Sequence, residues 1–175
     1  MRGVSRMLTL LPAVVVVVAA CSNGPDAPPV GESALVCTDA FCLSYPQAWA
    51  VVDKGAEHVA LAHPDAPDTL LASVGMVNLE ALVVAAGELW PQQPDAVVRI
   101  FWSQIDGGEA DVGEVRPQLD GSVRSVGVFR GGRLWFGLYP IDASHGVGVE
   151  VRAPNRSWET HAAVFMDGLR VLARS

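Results

Sequence analysis

The amino-acid sequence predicts an α+β protein in which helices pack on a central antiparallel sheet. Short runs of alternating apolar and polar residues, separated by turn residues, recur from Cys42 onward. This pattern is typical of antiparallel strands that bury one face. Two apolar stripes with helical spacing follow Asn78 and Ser157, which predicts helices at those points. A chain of 175 residues is long enough for one domain with a single core.

The N-terminal segment is predicted to be a targeting signal that is not part of this domain. Two arginines precede the apolar run Met7–Ala20, which is too short to span a bilayer and fits the apolar region of a secretory signal. Val18–Cys21 resembles the lipobox of bacterial lipoproteins, in which the cysteine carries a diacylglycerol. An ordinary cleaved signal and an uncleaved anchor helix are the alternatives. We therefore expect residues 1–20 to be a lipoprotein signal peptide.

Lipidation of Cys21 would attach the protein to the extracytoplasmic face of the cell membrane. Two or more acyl chains, palmitate among them, hold a protein stably where one chain does not. The segment 21–34 is rich in glycine, proline and serine, and Val30 is the sole large apolar residue between Ser22 and Ser33. Such a composition predicts a flexible linker. Residues 35–175 then form the single globular domain.

The other two cysteines are predicted to form a disulfide. Cys37 and Cys42 remain as a pair once Cys21 is lipidated, and a secreted chain meets an oxidising environment. Closing so short a loop is worth about 2 kcal/mol on the chain-entropy model. A redox role would favour a Cys-x-x-Cys spacing at a helix N-terminus, so we expect a structural cross-link.

The first half of the domain is predicted to hold four strands and two helices. The strands are Cys42–Tyr45, Trp49–Val52, His58–His63 and Thr69–Val77. Asn78 is a favourable N-cap for a helix that ends before Gly87. A second helix is expected over residues 94–105, beginning at Pro94. Its Val97 and Val98 also suit a strand, so that alternative stays open.

The second half is predicted to form four strands and a final helix. The strands are Asp111–Gln118, Ser122–Arg130, Arg133–Tyr139 and Gly146–Arg152. Asp120–Gly121 and Gly131–Gly132 have the composition of two-residue hairpin turns. Ser157 is the expected cap of the final helix. The apolar stripe of that helix comprises Trp158, Ala162, Phe165, Leu169 and Leu172.

One motif and the order of elements carry a family resemblance. A short strand leads into the residues Tyr-Pro-Gln-Ala-Trp at positions 45–49, followed by a β-meander and a terminal amphipathic helix. This order, over residues 34–172, resembles PsbP-like proteins, including the LpqN-type actinobacterial lipoproteins; Ala48 stands where that family usually has glycine. The resemblance implies an α/β/α sandwich with accessory or binding roles. It implies no shared catalytic set, so no functional residue is transferred.

Composition and motifs argue against several function classes. The net charge of -7 disfavours a nucleic-acid binder, because phosphate binding needs clustered lysine and arginine. The sequence contains no GxSxG, HExxH, P-loop or helix-opening GxGxxG motif. We therefore predict no catalytic residues and no cofactor, and favour a protein that is not an enzyme.

The metal-binding residue types do not form a recognisable site in the sequence. His58 and His63 lie an odd number of residues apart on one predicted strand, so their side chains point to opposite faces. A zinc site of His145, His161 and a carboxylate is one alternative, and a calcium loop in the acidic stretch 106–114 is another. Solvated histidines and a solvated turn explain the same residues, and no metal site is predicted.

The predicted binding surface lies on the strand Arg133–Tyr139. Arg133, Trp135 and Tyr139 alternate with Leu134 and Phe136, so they share the face directed away from the presumed core. An exposed tryptophan and tyrosine beside an arginine would suit a ligand or a partner: another envelope protein, a lipid or a glycan. The alternative is that a further layer buries this face.

These observations predict a membrane-anchored, extracytoplasmic lipoprotein that acts as a non-enzymatic binding or accessory domain. The alternative is an extracytoplasmic hydrolase with a dispersed active site. That enzyme would need a concave site in which His145 or His161 lies within hydrogen-bond reach of an aspartate or a serine.

Overall fold

The computed structural model describes residues 32–105, 110–129 and 132–173. The strands in these ranges are β1 (Ser33–Cys37), β2 (Phe41–Pro46), β3 (Ala50–Lys54), β4 (His58–Ala62), β5 (Leu71–Asn78), β6 (Asp111–Pro117), β7 (Val123–Phe129), β8 (Gly132–Pro140), β9 (His145–Pro154) and β10 (Arg170–Ala173). The helices are α1 (Leu79–Ala85), α2 (Pro94–Gln104), α3 (Asn155–Ser157), a π-helical turn (Trp158–Ala162) and α4 (Ala163–Gly168). The predicted α+β class is confirmed.

Some sequence predictions concern residues outside the described ranges. These are the signal peptide, the lipidation of Cys21, the linker up to residue 31, the acidic positions 106–109 and the turn residue Gly131. The linker was predicted to extend through residue 34, but β1 begins at Ser33. None of the helices within the described ranges has the length and apolarity that a bilayer crossing requires.

The strands form two antiparallel sheets. The large sheet has the order β3-β4-β5-β9-β8-β7-β6, and the small sheet has the order β1-β2-β10. Strand β10 was not predicted. Leu172 was expected on the stripe of the final helix, but it pairs with Cys42 of β2 and is 53% exposed.

The large sheet is covered on both faces, which corrects the expectation of a single dry face. Leu134, Phe136 and Leu138 of β8 pack with the buried residues of α1 and α2. Trp135 lies among these residues in sequence but belongs to a second core. That core also contains residues of β2, β9 and the C-terminal helical segment, which comprises α3, the π-helical turn and α4 (residues 155–168). The alternation read from the sequence therefore assigns these side chains to two different cores.

The two central helices begin where the sequence predicts. Asn78 Oδ1 accepts a hydrogen bond from the backbone N–H of Ala81 at 2.8 Å, and Gly87 adopts φ +80° after α1, a conformation that favours glycine. Helix α2 begins at Pro94, so the strand alternative for this segment is wrong. Its most buried residues are Val97, Val98 and Trp102.

The aromatic motif at positions 45–49 is a turn that anchors two rings in the core. Tyr45 and Trp49 are 7% and 4% exposed, and the backbone N–H of Trp49 donates to the carbonyl of Pro46 at 3.0 Å. The Trp49 ring lies 4.3 Å from that of Phe165 in α4. The motif thereby ties the small sheet to the C-terminal helical segment.

The predicted disulfide is confirmed, and it closes the β1–β2 hairpin. Cys37 and Cys42 are bonded and directly paired in the register of the two strands. The cross-link stabilises β1, which among the described residues is an edge strand of the small sheet.

The C-terminal helical segment departs from the predicted single helix. Helical structure begins at Asn155, and the Ser157 side chain forms no capping hydrogen bond. The segment widens into a π-helical turn before α4 begins at Ala163. Trp158, Ala162 and Phe165 are nevertheless buried as predicted, because the widened turn keeps them on the side that faces β2 and β9.

Candidate functional site

The three residues predicted to bind a ligand or partner have separate environments. Trp135 is 3% exposed, so the expectation of an exposed tryptophan is wrong, and the alternative of a further covering layer is correct. Arg133 donates from Nη1 to Oε1 of Glu159 at 3.2 Å and lies over the ring of Trp158 at 5.6 Å. These contacts give Arg133 a packing role, and Tyr139 alone of the three lines the cavity described next.

A cavity of about 570 Å³ lies where β7 and β8 meet the end of α4 and the start of β10. Arg124 and Tyr139 line its sheet side. Asp167 and Arg170 line the opposite side, and Asp120, from the β6–β7 connection, lines it as well. This volume falls in the range typical of small-molecule sites. The cavity combines charged groups of both signs with a phenol.

The strand register explains why Arg124 reaches this cavity. Arg124 is paired directly with Gly137, and Trp135 and Tyr139 flank that glycine on the same face. Since Gly137 has no side chain, the Trp135 ring occupies the space above it: a Cβ at position 137 would lie 2.6 Å from the indole. Trp135 and Arg124 also line a neighbouring cavity of about 440 Å³.

Two polar atoms at the first cavity are buried without a hydrogen-bond partner among the described residues. They are Nε of Arg124 and the hydroxyl oxygen of Tyr139. Burial raises the pKa of the Tyr139 hydroxyl, and the negative charge of Asp120 adds to that shift. Arg124 opposes the shift through its positive charge and through its side-chain contact with the hydroxyl. The hydroxyl therefore stays protonated at neutral pH and is available as a donor. Buried polar groups are normally hydrogen-bonded, so a water molecule or a polar ligand group can serve as the partner of this pair.

The other charged groups of the cavity are partly engaged with the protein. The Asp120 carboxylate accepts hydrogen bonds from the hydroxyl and the backbone N–H of Ser122, and these bonds lower its pKa. Nη1 of Arg170 donates to the backbone carbonyls of Asp167 and Leu169. These two bonds hold the Arg170 guanidinium at the cavity and use two of its five N–H donors.

The histidines separate into three different settings. His58 lies on β4 and contacts Asp53 at 2.9 Å in an exposed pair. His145 contacts Asp142 at 3.2 Å, but that carboxylate also accepts from the backbone N–H of Ser144 and His145. The second pair therefore stabilises an exposed turn, and it does not carry the hydrolase alternative.

His63 and His161 come together, which the sequence did not predict. Their ring centroids are 4.1 Å apart, and His63 is 6% exposed. Burial lowers the pKa of His63, the nearby His161 lowers it further, and Asp65 opposes both effects. His63 is therefore neutral at neutral pH.

The comparisons with known proteins find a likeness to solved structures only. No family model matches the chain, and no curated protein matches it. The fold is similar to that of cyanobacterial PsbP (CyanoP) from Synechocystis sp. PCC 6803, with 17% identity, a TM-score of 0.48, and coverage of 83% of this chain and 96% of that chain. This likeness concerns the fold alone, and the LpqN-type affiliation stays a prediction. The proposals below rest on the chain's own residues.

Proposed function

We propose that this protein is a non-enzymatic binding domain that takes a small organic anion into the cavity between Arg124, Tyr139 and Arg170. The observation that carries the proposal is the pair of buried, unpartnered polar atoms, Nε of Arg124 and the hydroxyl of Tyr139. Each unpartnered buried group costs about 1–3 kcal/mol. A ligand that accepts from both groups would recover much of that free energy.

The donor set favours a carboxylate or a phosphate as the bound group. Arginine presents planar N–H donors that match these anions, and such charge-assisted hydrogen bonds are stronger than neutral ones. Arg170 at the far side adds a second positive charge, and Asp167 and Asp120 supply acceptors for the polar remainder of a ligand. Since Asp120 already accepts two hydrogen bonds from Ser122, the anion would sit closer to Arg124.

We predict that inorganic phosphate or acetate shifts the backbone amide NMR resonances of Tyr139 and Arg124 in a saturable way. Arg124→Gln and Tyr139→Phe should each weaken that binding by about 10- to 100-fold, because each loses a hydrogen bond to a charged group. Comparison of the two probes separates a phosphate site from a carboxylate site. Titration of each variant, followed at the amides of neighbouring residues, measures the effect.

Two matched variants control this experiment. Arg99→Gln removes an exposed arginine of α2, and Tyr45→Phe alters a tyrosine of the core; both should bind as the wild type does. If neither anion perturbs the cavity, or if Arg99→Gln weakens binding as much as Arg124→Gln, then the proposed binding function is wrong.

We further propose that lipid on Cys21 holds this domain at the extracytoplasmic face of the cell membrane. The lipobox-like residues 18–21 support this location. The Cys37–Cys42 disulfide supports it independently, because such bonds persist in oxidising compartments. A binding domain on a short tether would sample ligands close to the membrane. An envelope protein, a lipid or a glycan as partner also remains part of this proposal.

We predict that metabolic labelling with a radioactive or clickable fatty acid marks the wild-type protein and not Cys21→Ala. The substitution removes the thiol that forms the thioether, so no acyl chain can be attached at this position. The control is the double variant Cys37→Ala/Cys42→Ala, which should keep its label. Persistent labelling of Cys21→Ala would refute the anchor without bearing on the binding cavity.

A further inference from the structure

Two histidines and a carboxylate meet at a site separate from the anion cavity. His63 follows β4, Asp65 lies in the next turn, and His161 lies in the π-helical turn. Each side chain offers a nitrogen or oxygen atom, and these three atoms lie within 4.8 Å of one another. Packing of the C-terminal helical segment against the large sheet creates this cluster, since His161 is distant in sequence from the other two residues.

The ring of His63 is held in place with a lone pair towards Asp65. The backbone N–H of Asp65 donates to Nδ1 of His63 at 3.3 Å, so Nδ1 carries no proton. Oδ2 of Asp65 lies 3.7 Å from the same nitrogen, and the Trp49 ring packs edge-on against the imidazole at 5.7 Å. An unprotonated imidazole nitrogen is the form that binds metal ions. A metal ion would therefore bind His63 at Nδ1 in place of the Asp65 N–H, or at Nε2 once the ring proton has moved from that nitrogen.

The π-helical turn explains the position of His161. Buried Trp158 and Ala162 anchor the turn on the core, while His161 remains half-buried at its edge. Such turns are rare and occur frequently at functional sites. Asp65 is exposed, so two of the three side chains can adjust towards a common centre while His63 stays fixed.

We propose that His63, Asp65 and His161 bind one zinc-class divalent transition-metal ion. Two imidazoles and a carboxylate form the three-ligand set of open zinc sites, in which water fills the fourth position. A tetrahedral zinc ion with ligands at about 2.0–2.2 Å needs ligand atoms about 3.4 Å apart. Rotations of the Asp65 and His161 side chains would have to shorten the present separations, which are within 4.8 Å, to that spacing. Calcium and magnesium prefer oxygen ligands, so they should not compete.

The test is isothermal titration of the chelator-treated full chain with Zn²⁺ alone. The wild type should bind one ion per chain, and Mg²⁺ should give no saturable heat. His161→Gln and Asp65→Asn should each weaken Zn²⁺ binding by at least about 100-fold, since even loss of an outer-shell partner costs 10- to 100-fold. Neither residue is fully buried, so both variants should keep the wild-type far-UV circular dichroism spectrum.

The control is His58→Gln. His58 also lies beside an aspartate, Asp53 at 2.9 Å, but this pair has no second histidine. This variant should bind Zn²⁺ as the wild type does. Co²⁺ bound to the wild type should show the visible spectrum of a tetrahedral site, and His161→Gln should lose it. Absence of stoichiometric Zn²⁺ binding, or equal weakening in His58→Gln, would overturn the proposal and leave the anion cavity unaffected.

Discussion

Replacing Trp135 with alanine is expected to lower the free energy of unfolding by about 3–5 kcal/mol. The side chain is 3% exposed and belongs to the core between the large sheet, the small sheet and the C-terminal helical segment. Its indole also fills the space over Gly137, so truncation would leave a cavity on β8 that the backbone cannot close. Chemical denaturation followed by circular dichroism measures the loss.

The control for this prediction is Leu119→Ala. Leu119 is exposed, so removing its side chain should change stability by no more than about 0.5 kcal/mol. A Trp135→Ala protein that keeps its stability and loses ligand capture would contradict the burial of this residue. That result would support the exposed binding surface that the sequence predicts.

Replacing Trp102 with alanine is expected to cost a similar 3–5 kcal/mol, because Trp102 occupies the opposite core. It is 1% exposed and packs in α2 against the face of the sheet that carries Phe136. Its Nε1 donates to the hydroxyl of Ser125 at 2.7 Å, and that hydroxyl donates to the carbonyl of Phe136 at 3.3 Å. The residue therefore contributes both apolar burial and a buried hydrogen bond.

Trp102→Phe and Ser125→Ala separate these two contributions. Trp102→Phe keeps most of the packing and should cost only about 1–3 kcal/mol. A double-mutant cycle between the two substitutions should show a coupling of about 0.5–1.5 kcal/mol, the usual net value of such a bond. If Trp102→Ala costs less than 1 kcal/mol, α2 does not form a core with Phe136 on this face of the sheet.

The local elements of this fold could be predicted because their determinants are close in sequence. The cap of Asn78, the start of α2 at Pro94 and the alternation along β8 are all visible within a few residues. In each case a side chain acts on its own backbone or on a fixed periodicity. The disulfide between Cys37 and Cys42 could also be predicted from the sequence, since these are the two cysteines that remain once Cys21 is assigned to lipidation.

The C-terminal segment was misread because the helical stripe continues into a strand. Leu169 and Leu172 keep the spacing of the helix, but Leu169 ends it with an extended backbone and Leu172 pairs with β2. Edge pairing with a distant strand outweighed the local helical pattern. The π-helical turn gave no sequence pattern of its own.

The candidate sites likewise combine features that are visible in the sequence with features that depend on tertiary packing. Tyr139 was predicted on the correct face of β8, whereas Arg124 was missed. The alternation of Arg124 with Val123 and Ser125 indicates its face, but only the register with Gly137 brings it beside Tyr139. Likewise, no spacing rule relates His63 to His161, which meet through packing of the C-terminal helical segment on the sheet.

The sequence by itself determined the α+β class, most strand and helix positions, the cysteine pair and the faces on which the side chains of β8 lie. These properties depend on periodicity, capping and composition, which act over a few residues. Only the tertiary structure decided that both faces of the sheet are covered, that Trp135 is buried and that Arg124 and Tyr139 share a cavity. Those properties depend on strand register and layer packing, which join residues that are far apart in the chain.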